Sequence, residues 1–393
     1  MRRHWLLDPE VVFLNHGSFG ACPIQVLEYQ ARLRDRMERE PVLFLGREIE
    51  MLLDEARIEL ARSVGADAEG LAFVPNATTG VNIALAALAL NPGDELLVTD
   101  HEYNACRNAL ETAAQRTGAR VVTVHIPFPC TEEDSVVEAV LSAVTRRTRL
   151  LLIDHVTSPS ALVLPVDRLI RELSSRGVET LVDGAHAPGQ VPLALDSLAA
   201  AFYTGNCHKW LCTPKGAAFL WVREDFRRST RPLVISHGAN DSRTDRSRFR
   251  VEFDWTGTSD PTPFLAVPEA IRFLASLFPD GMAGLQRRNR ELALAARVLL
   301  SNELGLELPC PDSMVGAMAA LVLPGPSIPG TEPPGRGDPL QDILWNRHRI
   351  EVPVIRWPAL GCRILRVSCQ AYNRLDDYAA LAAALRGLLP ERR

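Results

Sequence analysis

Between residues 70 and 222, short apolar runs alternate with segments of helical period, and no other feature of the chain restricts its fold as strongly. Seven runs read as strands, over residues 71–74, 95–99, 120–125, 149–154, 179–183, 200–203 and 217–222. Helix-like stretches fall between several of them, at 104–117, 131–146 and 166–176. This alternation predicts an α/β fold: a mostly parallel seven-stranded sheet, helices on both faces, and ligands bound at the carboxyl ends of the strands.

That geometry makes the residues just after each strand the ones to inspect. They are polar: Pro75-Asn76-Ala77-Thr78-Thr79 after the first strand, Asp100-His101-Glu102-Tyr103 after the second, Asp154-His155 after the fourth and Asp183-Gly184-Ala185-His186 after the fifth. A purely structural sheet has no need of such residues at four strand ends.

Of 43 basic residues only two, Lys209 and Lys215, are lysines, and both lie within 204–216. Where charge alone matters, a GC-biased genome drifts from lysine to arginine, but a guanidinium cannot join covalently to an aldehyde or titrate near neutral pH. A lysine that survives points to amine chemistry, often with pyridoxal 5'-phosphate, which also needs an acid for its ring nitrogen and a cradle for its phosphate. The segment 76–80 opens an apolar helix after a strand and offers backbone N–H groups and threonine hydroxyls to an anion. It lacks the Gly-Lys-Ser/Thr of a nucleotide loop, and an ordinary N-cap accounts for it as well. Asp183 ends an apolar strand, so its carboxylate needs a partner: a protonated pyridine nitrogen, or the next turn if it is a cap.

Together these residues resemble the class V group of fold-type I pyridoxal-phosphate enzymes, over nearly the whole chain. The motifs are Asp183-Gly184-Ala185-His186 and His208-Lys209. The resemblance implies that Lys209 carries the cofactor and that Asp183 pairs with its ring nitrogen. His186 would face its phenolic oxygen; Asn76, Ala77, Thr78, Thr79 and His208 would surround its phosphate. Lys215 would sit behind the site or at the surface. Thr258 resembles a threonine that a neighbouring subunit contributes, which implies a homodimer. The aromatic stacked on the ring is His101 by the cysteine desulfurase pattern, or Tyr103 by the His-Glu-Tyr of isopenicillin N epimerase-like members. Arg366, in 363–373, matches the arginine that grips a substrate carboxylate, with a structural salt bridge as the alternative. Asn15 and His16, in 14–20, match a segment that closes over the substrate.

Four longer strings, at 14–20, 41–47, 206–216 and 235–238, resemble the isopenicillin N epimerase-like branch. A desulfurase would place a nucleophilic cysteine where Ile350 stands, three residues before Pro353, so persulfide chemistry is disfavoured. The branch implies an enzyme acting at Cα of an amino-acid-like substrate. Epimerisation leads, with carbon–sulfur β-elimination beside it and aminotransfer behind; epimerisation would add Tyr103 or His16 as a second acid–base group. A catalytically silent binding module is the contrasting reading, opposed by the intact Lys209, Asp183 and Arg366.

A length of 393 residues is long for one core. The expected division is a large cofactor-binding domain at 23–269 and a small α+β domain built from 1–22 and 270–393, with helices at 282–303 and 376–389. Residues 324–339, rich in proline and glycine, read as a surface loop. With a net charge of -5 and arginines interleaved with acids, nucleic acid is not an expected partner. The chain start lacks an apolar core of leader length, and no apolar run approaches the ~20 residues that span a bilayer. Eight scattered cysteines read as reduced thiols. The expectation is a cytoplasmic enzyme with no membrane partner and no metal site.

Overall fold

A computed structural model describes residues 1–324, 338–357 and 362–389. Most of the loop expected at 324–339 lies outside the described residues.

The central sheet has seven strands. In spatial order they are Leu71–Val74, Ala218–Val222, Phe202–Asn206, Glu179–Asp183, Thr148–Asp154, Glu95–Thr99 and Arg120–Val124. Ala218–Val222 runs antiparallel to both neighbours and the remaining pairs are parallel. Helices cover both faces, which explains why the strands read as unbroken apolar runs rather than alternating ones. Leu150, Leu151, Leu152 and Ile153 are all fully buried, and each such side chain contributes about 1.5–3 kcal/mol.

The sixth strand departs from expectation. It spans Phe202–Asn206 instead of 200–203, continuing through Thr204, Gly205 and Asn206. Glycine and asparagine read locally as a turn, but here their polar groups are used inside the sheet. Thr204 Oγ1 donates to the Phe219 carbonyl, and Asn206 Oδ1 accepts the Ala77 N–H at 2.9 Å. The extension brings the strand end to the first turn of the helix Ala77–Ala87 and shortens the loop to Lys209. Gly80 permits that approach: a Cβ there would lie 2.2 Å from Thr204 Oγ1.

The later part of the chain forms a three-stranded antiparallel sheet, in the order Val354–Trp357, Cys362–Ser368, Met318–Leu323. The helices Gly281–Leu304 and Leu375–Arg386 pack beside it. Near the N-terminus, Val12–Phe13 pairs in parallel with Ile350–Glu351, and the Ser368 N–H donates to the Leu14 carbonyl. These links bring 14–20 alongside the strand that carries Arg366. Among the described residues, no helix is long and apolar enough to cross a membrane.

Candidate active site

The carboxyl ends of Thr148–Asp154, Glu179–Asp183 and Phe202–Asn206 lie side by side, with Asp154 opposite Asp183 and Asp183 opposite Thr204. Asp183 is 2% exposed. Its carboxylate accepts the Ala185 N–H at 2.8 Å and the Cys106 S–H at 3.0 Å. No lysine, arginine or histidine among the described residues lies within ion-pair distance of it. A buried carboxylate without a cation is costly unless a ligand supplies one.

Lys209 follows the next strand by three residues. Its Nζ lies 3.0 Å from His186 Nε2, while His186 Nδ1 faces the Trp210 indole N–H at 3.4 Å. The indole can only donate, so the neutral His186 carries its proton on Nε2 and offers it to Nζ, which accepts as a free amine. Burial acts in the same direction, bringing the Lys209 ammonium down to about 8 despite Asp183 nearby. Burial and the adjacent Lys209 charge hold His186 well below its usual value. Only the deprotonated amine attacks an aldehyde. Covalent reconstitution of the apoenzyme should therefore rise with pH and level off above about 8, rather than climb toward ordinary lysine values. Stopped-flow absorbance across that range checks this.

The first turn of Ala77–Ala87 is partly capped from within. Asn76 Oδ1 accepts from the Thr79 N–H at 2.8 Å and the Thr79 hydroxyl at 3.0 Å, and Ala77 N–H goes to Asn206. Thr78 N–H remains, since a first-turn donor has no carbonyl within its own helix. This N–H and the positive end of the helix dipole are what the turn can offer an anion. His208 donates from Nδ1 to the Ala217 carbonyl at 2.9 Å, and burial brings it down to about 4.

Arg366 is 3% exposed and has no acidic partner among the described residues, so the salt-bridge alternative finds no support. Its Nη1 donates to the Ser158 carbonyl at 2.6 Å, and its Nη2 to Ser18 Oγ at 3.1 Å and Asn15 Oδ1 at 3.3 Å. Among the described residues its Nε has no partner. Burial of this guanidinium lowers it to about 10. Asn15 is tied in turn to Glu351, so it braces the arginine.

Two expected positions differ from the sequence reading in their surroundings. His16 is fully buried; its Nδ1 meets Tyr372 Oη at 2.8 Å and its Nε2 the Lys209 carbonyl at 3.0 Å. Burial lowers it to about 3. Both nitrogens are engaged, so His16 holds the lysine loop in place instead of opening onto a substrate. His101 is also fully buried, with Nδ1 on Ser160 Oγ at 2.7 Å and Nε2 on the Ile126 carbonyl at 3.1 Å. It packs edge-on against Trp357 at 4.5 Å, and burial lowers it to about 4. Tyr103, two residues on at the N-cap of Asn104–Thr117, is 49% exposed. Thr258 is exposed, on a loop following the helix Arg248–Phe253.

Sequence reasoning passed over Asn206, Ser158 and Cys106. The strand-end rule could have found Ser158, four residues beyond Asp154. Asn206 was hidden by its turn-like neighbour, and Cys106 by its place inside a helix.

A primary amine, a buried carboxylate lacking a cation and an open helix N-terminus are complementary to an aldehyde, a pyridine nitrogen and a phosphate. The residues fit pyridoxal 5'-phosphate.

Comparison with known proteins agrees. Residues 26–318 match the family model described as aminotransferase class-V. The chain is 41% identical to an isopenicillin N epimerase of Amycolatopsis lactamdurans, over 97% of this chain and 96% of that protein. It is 30% identical to a probable chloroplastic L-cysteine desulfhydrase of Arabidopsis thaliana, over 97% and 84%. Its fold matches that of a cystine C–S lyase crystallised with its product, cysteine persulfide, at a TM-score of 0.80 and 20% identity, over 97% of this chain and 99% of that one. The family model spans most of the seven-stranded sheet and the Asp183 and Lys209 positions, and the chain belongs to the class-V aminotransferase family of pyridoxal-phosphate enzymes.

Proposed function

We propose that this enzyme epimerises an amino acid or amino-acid-derived substrate by removing and returning its Cα proton. When bound, pyridoxal 5'-phosphate supplies an electron sink that acidifies the Cα–H of an attached amino group. Asp183 would hold the ring nitrogen, Thr78 with its helix N-terminus the phosphate, and His186 the edge beside Lys209. Lys209 Nζ takes the proton on one face. Arg366 grips the α-carboxylate through its planar fork, with Ser158, Ser18 and Asn15 fixing that fork. The observation that carries the reading is this buried arginine with no acidic partner among the described residues, in the same fold as a lysine whose amine is held near its free form.

Epimerisation needs a second group on the opposite face. With both His16 nitrogens engaged, Tyr103 is the residue left from the two considered, and its exposure suits it to cover the cofactor ring as well. Tyr103→Ala is expected to weaken cofactor retention about tenfold or more, as loss of one aromatic stack worth ~1–3 kcal/mol implies. His101→Ala should instead lower the melting temperature with little change in cofactor affinity, because its contacts are internal. Fluorescence titration and calorimetry separate the two.

The alternative is carbon–sulfur β-elimination, which the desulfhydrase relatives support. Proton NMR in heavy water with a panel of amino acids decides between them. Cα deuterium exchange without keto-acid release favours the epimerase; pyruvate and ammonia favour the lyase; neither, with cofactor bound, counts against both. We also infer a homodimer: Thr258 is exposed, and Val42, Val234 and Ile235 leave apolar surface uncovered in a single chain. Analytical ultracentrifugation tests it.

A further inference from the structure

Behind Asp183 lie two more buried carboxyl groups that the reaction as described does not use. Glu102 is 5% exposed and Asp154 is 3% exposed. Glu102, Cys106 and Asp183 each place one polar atom within 4.8 Å of the others. Asp154 stands opposite Asp183 in the sheet register and forms a side-chain pair with Glu102.

As ionised carboxylates, these groups cannot satisfy one another. Both Glu102 oxygens and one Asp154 oxygen are buried with no hydrogen-bond partner among the described residues. Carboxylates only accept; a single proton turns one of them into a donor and closes the pair. The other groups facing the cluster do not supply that donor. Cys106 gives its S–H to Asp183, and the Tyr203 hydroxyl is bonded to His155 Nδ1 at 2.9 Å. Lys209 is engaged with His186.

We propose that Glu102 is a positioning residue that stays protonated at neutral pH and donates to Asp154, leaving Asp183 to bear the ionised carboxylate that faces the cofactor nitrogen. The proposal rests on the assignment of Asp183 made above, but the proton itself does not. Burial, with Asp154 and Asp183 as neighbours, pushes Glu102 well above the usual carboxyl range. Burial and Asp183 do the same for Asp154. Three ionised carboxylates at neighbouring strand ends would repel one another, and a proton on Glu102 removes one of those charges from beside the carboxylate that faces the pyridine nitrogen. Burial and the adjacent carboxylates push the Cys106 thiol up, so it remains an S–H donor to Asp183.

A carboxyl whose folded-state pKa lies above its unfolded value contributes stability at low pH, which is lost as pH rises toward the folded value. Glu102→Gln keeps the shape and supplies an N–H donor that does not titrate.

Infrared difference spectroscopy of the apoenzyme tests the proton directly. A protonated-carboxyl C=O band is expected at neutral pH, lost on alkaline titration and absent in Glu102→Gln. The variant should also show a shallower decline of apoenzyme melting temperature with rising pH. No such band in the wild-type protein at neutral pH overturns the proposal without any variant being needed. A band that persists in Glu102→Gln places the proton on another group and overturns it too. If the band behaves as expected but Asp183→Asn binds cofactor like the wild type, the proton stands and the assignment of Asp183 fails.

Discussion

Lys209→Ala is expected to lower turnover by about 10^4-fold or more, the scale seen when a covalent or general-base group is removed. The fold should survive. The Lys209 carbonyl, which His16 holds at 3.0 Å, is unchanged by the substitution, and the side chain makes one hydrogen bond, to His186. Stranding that imidazole N–H costs about 1–3 kcal/mol, a tolerable loss for a chain with this much buried sheet. Lys209→Arg is the informative companion. It restores positive charge yet cannot join an aldehyde covalently, so it should be as inactive as alanine. The visible cofactor band, borohydride trapping and steady-state rates provide the readouts. Turnover within tenfold of wild type in either variant would refute the assignment.

Arg366→Leu should reduce kcat/KM by roughly 30- to 4,000-fold, as expected when one partner of a buried, hydrogen-bonded charge pair worth ~2–5 kcal/mol is truncated. The greater part should appear in KM, because the carboxylate is held in both ground and transition states. Arg366→Lys should recover little, since an ammonium cannot reproduce the fork that Ser158, Ser18 and Asn15 aim. A substrate analogue lacking the α-carboxylate separates recognition from mere support of the fold. Wild-type enzyme should discriminate strongly against it, and Arg366→Leu should not. Equal discrimination by both proteins would show that Arg366 does not contact the carboxylate.

Much of the architecture was legible because a sheet covered on both faces writes itself as apolar runs, as at 149–154, and because ligands gather where such runs end. Asp183 was singled out that way, and Lys209 by the scarcity of lysine. What escaped was the direction in which a strand-end side chain points. Strict alternation stops where a strand gives way to a helix, so nothing local distinguishes His101, turned inward onto Ile126 and Trp357, from Tyr103, turned outward. Burial depth was equally hidden. Glu102 and His16 look like surface or pocket residues in a polar string, and only the tertiary fold encloses them. The extended strand through Gly205-Asn206 shows tertiary hydrogen bonds overriding a turn-like pair.

The segment 14–20 lies directly on the lysine loop. His16 binds the Lys209 carbonyl, Lys215 Nζ donates to the Gly20 carbonyl at 2.9 Å, and a Cβ at Gly20, where φ is +71°, would fall 2.0 Å from the His208 carbonyl oxygen. These contacts join residues 193 and 195 positions apart, and Asn15 meets Arg366 across 351. Closing such long loops is entropically late work in folding. On the ribosome, residues 14–20 must wait for the strand that carries Arg366 before the pocket exists. Cofactor capture in the closed pocket is thus a report that this strand has been made and has docked against 14–20.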